Sequence, residues 1–433
     1  MKTRHVRLAP FALLMIAVML LLGASPSPKS DAEIPDISKQ INDFTIVLLK
    51  HTAESGNAPA NVILSPQCIF HGLAMSYIAS GGETRKELAS VFHFPDNDQQ
   101  LLKDLKQLRR QLNTAAKQKR IEVNLANSAW LDETYAEFRK EYIKAVREAF
   151  DASLQQIEFK QKEKASEEIN RWISGKTHGK IRNVVSPDDF KSKSAPGVIE
   201  EPALVLVNAV YFNADWGTQF DKTATRMLPF HVDASITTET TMMHQHSLLP
   251  YSENDEVKFL EIPYIGSGYS MYVILPKEII SVRKLMDAVT TEMIANLKSS
   301  ASTHEVDVLL PKFEMKSNLG MKDTLSQMGV RSAFNRRADF DKMIIKNKQA
   351  FLIYISQIYH SAWIDVHEEG TEAAAATATV HYSGGCSAVS PKLVQVQFHA
   401  DHPFLFMVVH NQSRSILFAG WMSNSEEISN PGK

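Results

Sequence analysis

Two short motifs have residue types that could do chemistry, but neither completes a site in the sequence. The tripeptide GKT at residues 175–177 has the ending of a phosphate-binding loop, yet that motif requires a glycine where the chain has Asn170. His244 and His246 would share one face of a strand and could bind a metal ion, but no neighbouring Cys, His or Asp completes the ligand set. No Gly-x-Ser-x-Gly motif marks a serine nucleophile. We therefore predict neither an enzyme nor a metal site.

The most informative segment is a run of small residues near the C-terminus, EEGTEAAAATAT at residues 368–379. Side chains alternate along a strand, so one face would carry Thr371, Ala373, Ala375, Thr377 and Thr379. The other face would carry Glu372, Ala374, Ala376 and Ala378. The first face is small and uncharged, which suits a strand that enters a packed sheet, because a bulky side chain would overpack and a charge would be buried unpaired. A solvated Ala/Thr-rich linker is the alternative on composition alone.

Two motifs in this region resemble those of the serpins. Residues 369–374 (EGTEAA) are similar to the hinge of the serpin reactive loop, and residues 402–406 (HPFLF) to the strand entry that follows this loop. Segments similar in order and spacing extend the resemblance from about residue 36 to residue 424. The resemblance implies an α+β serpin fold, with a large central, mostly antiparallel sheet, additional sheets, about nine helices and an exposed reactive loop near the C-terminus.

The resemblance also implies a function, that of a suicide-substrate inhibitor of serine and cysteine endopeptidases. The target protease attacks the exposed loop, and the cleaved loop inserts into the central sheet before the acyl-enzyme hydrolyses. Inserting about 14 residues extends a strand by roughly 46 Å at ~3.3 Å each, which carries the protease to the far pole of the inhibitor. The alternative is a non-inhibitory serpin fold that serves as a carrier, a chaperone or a sacrificial substrate. From Gly370 to Thr379, the segment has no bulky, charged or proline residue beyond the outward-facing Glu372, which favours inhibition.

The resemblance assigns roles to individual residues. The hinge comprises Glu368, Glu369, Gly370, Thr371, Glu372, Ala373, Ala374, Ala375, Ala376 and Thr377. Trp216 and Glu368 lie at the breach, where the sheet first opens. Ser65, Asn208 and His360 belong to the shutter, a network that holds the central strands together, although an ordinary core histidine is the alternative for His360. Cys68 replaces the usual serine in this region, so a hydrogen bond there is expected to be weaker. Thr371 is expected in water until the loop is cleaved.

Two ways of counting place the scissile bond differently. Counting forward from Gly370 reaches Gly384 and Gly385, whereas counting back from Pro403 reaches residues 388–392. We favour the window 382–386, because the forward arm must match the sheet that it enters. The candidates are Tyr382, Gly384, Gly385, Cys386 and Lys392, of which Tyr382 and Lys392 suit familiar protease pockets best.

The apolar periodicity predicts helices at residues 36–55, 69–79 and 99–113. The third carries a basic cluster, Lys103, Lys106, Arg109 and Arg110. In several serpins the corresponding helix binds sulfated polysaccharides, so a polyanion is the one cofactor that the resemblance allows, and a solvated helix face is the alternative. The net charge of -2 gives no overall attraction to nucleic acid.

The N-terminus has the order of a secretory signal. Lys2, Arg4 and Arg7 precede an apolar run at residues 11–22 and small residues at 23–25. We expect a signal peptide at residues 1–25, a flexible leader at 26–35 and one serpin domain at 36–433, with the reactive loop at about 368–392. A retained N-terminal anchor is the alternative. These features predict export to an extracellular or periplasmic space, without a membrane span once processed. The serpin resemblance implies a monomer whose partner is a serine protease. The two cysteines provide no disulfide framework.

Overall fold

The computed structural model describes residues 36–54, 60–116, 120–191, 193–195, 198–200, 202–346, 353–371 and 395–424. The predicted signal peptide and leader, the scissile-bond candidates and the hinge residues after Thr371 lie outside these ranges. Within the ranges, no helix combines the length and the apolar composition that crossing a membrane requires.

Apolar stripes and end caps define the helices. The described residues form nine: α1 (Asp36–Glu54), α2 (Pro66–Ile78), α3 (Gly82–Phe92), α4 (Asp98–Ala115), α5 (Lys140–Phe150), α6 (Lys162–Lys176), α7 (Val282–Ala288), α8 (Thr291–Ser300) and α9 (Lys322–Met328). The first and third predicted helices agree with α1 and α4 to within two residues at each end. The predicted start of the second at Ile69 was wrong, because the Ser65 side chain caps the helix and Pro66 occupies its first turn.

A nine-stranded sheet contains the C-terminal strands. Its hydrogen-bonded order is β1-β19-β18-β11-β10-β9-β12-β17, with β8 also paired to β9. The strands are β1 (Val62–Leu64), β8 (Asp221–His231), β9 (Thr237–Glu253), β10 (Val257–Pro263), β11 (Tyr269–Pro276), β12 (Ser302–Pro311), β17 (Gln395–His399), β18 (Phe404–His410) and β19 (Ser415–Met422).

A six-stranded sheet, in the order β13-β15-β16-β7-β2-β4, contains the hinge. Its strands are β2 (Ile121–Asp132), β4 (Ser153–Ile157), β7 (Leu204–Asp215), β13 (Phe313–Gly320), β15 (Ile355–His367) and β16 (Gly370–Thr371). Two short two-stranded ribbons pair β3 (Ala136–Phe138) with β14 (Ile344–Lys346), and β5 (Lys193–Ala195) with β6 (Val198–Glu200). This architecture of helices and mixed sheets has the α+β class that the sequence predicted.

The two faces of β7 belong to different parts of the core. Leu204, Leu206 and Phe212 point into the main hydrophobic core. Val205, Val207, Ala209 and Tyr211 point the other way, into a smaller cluster with Ile169 and Ile173 of α6. This alternation follows from the two-residue period of a strand. A strand that entered next to β7 would therefore have one face toward the main core.

Candidate functional site

The hinge begins as a short strand between β15 and β7. After β15, Glu368 and Glu369 form a two-residue turn, and β16 runs back antiparallel to β15, with Thr371 opposite Val366. The same two residues of β16 pair antiparallel with the end of β7, where Thr371 lies opposite Ala214. Thr371 is fully buried. The prediction that Thr371 stays in water before cleavage is therefore wrong, because the first two residues of the strand already lie inside the sheet.

Gly370 is required by the closeness of the neighbouring backbone. A Cβ atom at this position would lie 2.5 Å from the Cα atom of Asp215 and nearer still to the carbonyl oxygen of Ala214. These atoms are main chain and belong to a central strand, so they cannot move aside as a flexible side chain would. Only glycine fits where β16 enters the sheet.

Two aromatic residues hold the buried threonine. The hydroxyl of Tyr264 lies 2.8 Å from the hydroxyl of Thr371, and both residues are fully buried. The Trp216 indole stacks on Tyr264, with ring centroids 4.5 Å apart. Trp216 also donates from its backbone N–H to the carbonyl of Glu369 and from Nε1 to the carbonyl of His367, both at 2.9 Å. Trp216 therefore contacts both ends of the hinge turn, while its role at the breach stays a prediction.

Two lysines neutralise the carboxylates of the turn. Lys312 Nζ lies 2.9 Å from Oε2 of Glu368. Oε1 of the same carboxylate accepts a hydrogen bond from the Thr225 hydroxyl at 3.0 Å. Lys222 pairs with Glu369. Burial acts to raise the pKa of Glu368, but the Lys312 ammonium and the Thr225 hydroxyl outweigh it, and the net shift is downward. Both carboxylates are thus held ionised, and together they fix the turn to β8 and the segment before β13.

The same turn offers a set of metal-binding groups. One ligand atom each from His367, Glu368 and Glu369 lies within 4.8 Å of the others. Nδ1 of His367 is 3.0 Å from the Glu369 carboxylate. Because lysines already compensate both carboxylates, the arrangement has the character of an ion-pair network.

The predicted shutter residues meet below the middle of the six-stranded sheet. The backbone N–H of Ser65 donates to Nε2 of His360 at 2.9 Å. Nδ2 of Asn208, the register partner of His360, donates to Asn127 Oδ1 at 2.5 Å and to the Cys68 carbonyl at 3.3 Å. Burial lowers the pKa of His360 to about 3, so the ring is neutral. The structure brings all three predicted residues together and adds Asn127, while their role in opening the sheet stays a prediction.

Cys68 is also fully buried in this region. Burial raises the pKa of its thiol to about 12, and its backbone N–H donates to the Ser65 hydroxyl at 3.3 Å. The thiol is therefore protonated and acts as a small core side chain. Cys386, the second cysteine, lies outside the described ranges.

A sequence model of the Serpin family, the serine protease inhibitors, matches residues 39–425. The chain belongs to the serpin family. The family membership that the sequence predicted is thereby confirmed.

Curated relatives and solved structures agree with this membership. The serpin is 34% identical over 389 residues to an uncharacterised serpin-like protein of Thermococcus kodakarensis, covering 89% of this chain and 85% of the relative. It is 31% identical to the leukocyte elastase inhibitor of Xenopus laevis, covering 90% and 99%. The crystal structure of Serpin48, a highly specific serpin of the insect Tenebrio molitor, superposes with a TM-score of 0.76 at 28% identity, covering 92% and 100%.

The basic cluster of this serpin lies partly where the sequence suggested. Lys103, Lys106 and Arg110 line a groove of about 480 Å³ between α4 and α5. Arg109 points elsewhere: its Nη2 donates to the Glu148 carbonyl at 3.2 Å, and its Nη1 is buried without a hydrogen-bond partner in the described part of the chain. Arg109 therefore contacts α5 beside the groove, and polyanion binding by the four basic residues stays a prediction.

Four side chains of the hinge environment were missed by sequence reasoning, and Thr225 of β8 is one of them. Tyr264, Lys222 and Lys312 come from three separate segments, and each makes a direct contact with hinge residues 368–371. The segments around Tyr264 and Lys312 resemble serpin sequences, but no local pattern marks either side chain as a partner of the hinge. Only the strand pairing of the serpin brings them there.

Proposed function

We propose that this serpin inhibits serine endopeptidases, and cysteine endopeptidases by the same route, by trapping the acyl-enzyme. In this proposal the protease cleaves the chain after the hinge, and the cleaved segment continues β16 into the six-stranded sheet. The observation that carries the proposal is β16 itself, which already pairs with β15 on one side and β7 on the other.

The pairing below β16 supports further insertion. Between Ile355 and Trp363, β15 pairs directly with β7 in parallel. A strand that continued from β16 would separate them and replace this single parallel ladder by two antiparallel ladders. Antiparallel pairing is somewhat more stable per residue, and each new main-chain hydrogen bond contributes about 0.5–1.5 kcal/mol net. Insertion would therefore stabilise the six-stranded sheet relative to its native strand pairing.

The side chains that follow Thr371 suit this path. Alternation places Ala373, Ala375 and Thr377 on the same face as the fully buried Thr371. Continued pairing would place Ala373 and Ala375 beside Phe212 and Val210 of the buried main core, where small side chains can enter without overpacking. Entry would also separate the register partners Asn208 and His360. Oδ1 of Asn208 and Nδ1 of His360 are both buried without a hydrogen-bond partner in the described ranges.

The bond-breaking chemistry in this proposal belongs to the protease. Its serine or cysteine attacks the reactive segment as it would any substrate, and the serpin supplies only the peptide and the insertion step. Rapid insertion pulls the acylated protease away from its docking position. Distortion of the protease oxyanion hole and of its general base then stalls hydrolysis of the ester or thioester.

The first prediction is a covalent complex with a susceptible protease. Incubation with chymotrypsin-, trypsin-, elastase- and subtilisin-like proteases should yield, for at least one of them, a complex that survives boiling in detergent. Mass spectrometry of the released C-terminal peptide would then identify the scissile bond between residues 382 and 392. If every protease cleaves the segment and keeps full activity, the serpin is a sacrificial substrate and the proposal fails.

The second prediction concerns a polyanion cofactor at the groove between α4 and α5. Replacing Lys103, Lys106 and Arg110 by Ala should weaken retention on a heparin column. The slope of log binding constant against log salt concentration should fall in magnitude by about two to three, since each neutralised anion releases about one counterion. The matched control removes the same charges from the exposed surface of α6, at Lys164, Arg171 and Lys176. Equal retention of both triple variants would show that the groove is an ordinary solvated surface.

Export and the monomeric state belong to the same proposal. The order of basic, apolar and small residues at the N-terminus supports export to an extracellular or periplasmic space, where the target protease would act. A monomer suits a mechanism in which the strand enters the sheet of its own chain.

A further inference from the structure

Three histidines surround one carboxylate near the edge of the nine-stranded sheet. Nε2 of His244 lies 2.6 Å from Oδ1 of Asp307, and Nε2 of His399 lies 3.0 Å from Oδ2 of the same carboxylate. His246 contributes its Nδ1, 3.9 Å from Oδ1 of Asp307, while its Nε2 lies 2.9 Å from the Glu305 carboxylate. The residues come from β9, β12 and β17, so only the pairing of these strands brings them together.

The strand register explains this convergence. His244 and His399 are both register partners of Leu309, on opposite sides of β12, so their Cα atoms are about two strand spacings, or 9.6 Å, apart. Asp307 lies on the same face two residues before Leu309, and His246 is its register partner. The fold thus places two further possible metal ligands, Asp307 and His399, beside His244 and His246, where sequence reasoning found none.

The cluster is open to solvent, and in the described part of the chain no ion pair joins its carboxylates to lysine or arginine. The side chains of His244 and Asp307 are each 34% exposed and that of His399 is 31% exposed, so an ion can reach them from water. Among the described residues, the ion-pair partners of Asp307 and Glu305 are all histidines. This differs from the hinge turn, where Lys222 and Lys312 already occupy the carboxylates.

We propose that this face binds Zn²⁺ through His244, His399 and Asp307, with His246 as the fourth ligand. Imidazole nitrogen and carboxylate oxygen are ordinary zinc ligands, and four of them make a closed tetrahedral site. Binding replaces the hydrogen bonds from the imidazoles to Asp307 by bonds to the ion, and the side chains rotate at the surface to converge on it. Such a site cross-links β17 to β12 and β9. Zinc binding does not depend on the proposed function, although β17 is the first described strand after the proposed reactive segment.

Calorimetric titration of the metal-free full chain with Zn²⁺ tests the site. We expect saturable binding, and with Co²⁺ the intense visible absorption of a four-coordinate centre. His399→Ala and Asp307→Asn should each weaken Zn²⁺ binding at least about tenfold, since even the outer partners of metal ligands cost 10–100-fold when removed. Hydrogen exchange in β17 should slow when Zn²⁺ is added to the unsubstituted chain.

The matched control is His304→Ala, which removes a histidine from the opposite face of β12 and should leave the affinity unchanged. Asp307→Asn preserves the shape of the side chain, so it provides the decisive comparison if His399→Ala does not fold. Zinc affinity that is the same in Asp307→Asn as in the unsubstituted chain, or the absence of saturable binding, overturns the proposal.

Discussion

Ala375→Arg is expected to convert the serpin from an inhibitor into a substrate of its target protease. In an extended strand, the side chain of Ala375 lies on the same face as that of Thr371, which is fully buried in β16. Insertion would therefore bury the new guanidinium without a partner. An uncompensated buried charge costs about 3–5 kcal/mol. A barrier raised by that amount slows insertion by about 100-fold or more, since each 1.36 kcal/mol is a factor of ten. Deacylation would then finish first, and the protease would leave active.

Two measurements on each variant test this expectation. The molar ratio of serpin to protease needed for full inhibition should rise sharply for Ala375→Arg, while the scissile bond stays the same. The matched control is Glu372→Arg, which continued pairing would place on the opposite face between the half-buried Asn213 and Asp365, and it should remain an inhibitor. Cleavage should raise the Tm of the unsubstituted chain strongly and that of Ala375→Arg much less. An unsubstituted chain whose Tm does not change on cleavage would rule out strand insertion.

The position of this substitution follows from the structure. Thr371→Arg would test the same idea if Thr371 lay in water before cleavage. Because Thr371 is already buried against Tyr264, an arginine there would also disturb the uncleaved protein. The effect of Thr371→Arg on the native sheet could then not be separated from its effect on insertion. Ala375 follows Thr371 by four residues in the sequence, so its substitution leaves the described side chains of β16 and their contact with Tyr264 unaltered.

Gly370→Ala is expected to expel β16 from the sheet in the uncleaved protein. The added methyl group would lie 2.5 Å from the Cα atom of Asp215, and two main chains cannot separate there while keeping their hydrogen bonds. Overpacking costs about 1–3 kcal/mol and more where the clash is severe, which matches the few hydrogen bonds of a two-residue strand at about 0.5–1.5 kcal/mol each. The hinge would leave the sheet, and Thr371 would lose its contact with Tyr264.

Trp216 provides the measurement for this second substitution. Its indole is 2% exposed and its backbone N–H donates to Glu369, so expulsion of the hinge should change its fluorescence and speed hydrogen exchange at that amide. The control is Gly175→Ala on α6, where an added Cβ meets no atom within 4 Å. That change should stabilise the helix by about 0.5–1 kcal/mol and leave Trp216 unaltered. An unchanged Trp216 signal in Gly370→Ala would show that the sheet accommodates the methyl group.

Local sequence patterns predicted the elements with regular periodicity. Leu101, Leu105 and Leu108 recur at helical spacing, and they form the buried stripe of α4 as expected. The start of α2 differed because a capping serine and a first-turn proline can begin a helix before the apolar pattern does. The direction of the Arg109 side chain was not predictable, since it depends on how closely α5 packs against α4.

The sequence by itself determined the serpin resemblance and the small, uncharged face that begins at Thr371, because alternation along one strand depends only on neighbouring residues. The tertiary structure alone decided that Thr371 is already buried and that Tyr264 contacts it. It also decided that His399 and Asp307 lie beside His244. These contacts join residues far apart in the chain, and they depend on strand order and register. Register is set by the packing of whole faces, so no local pattern contains it.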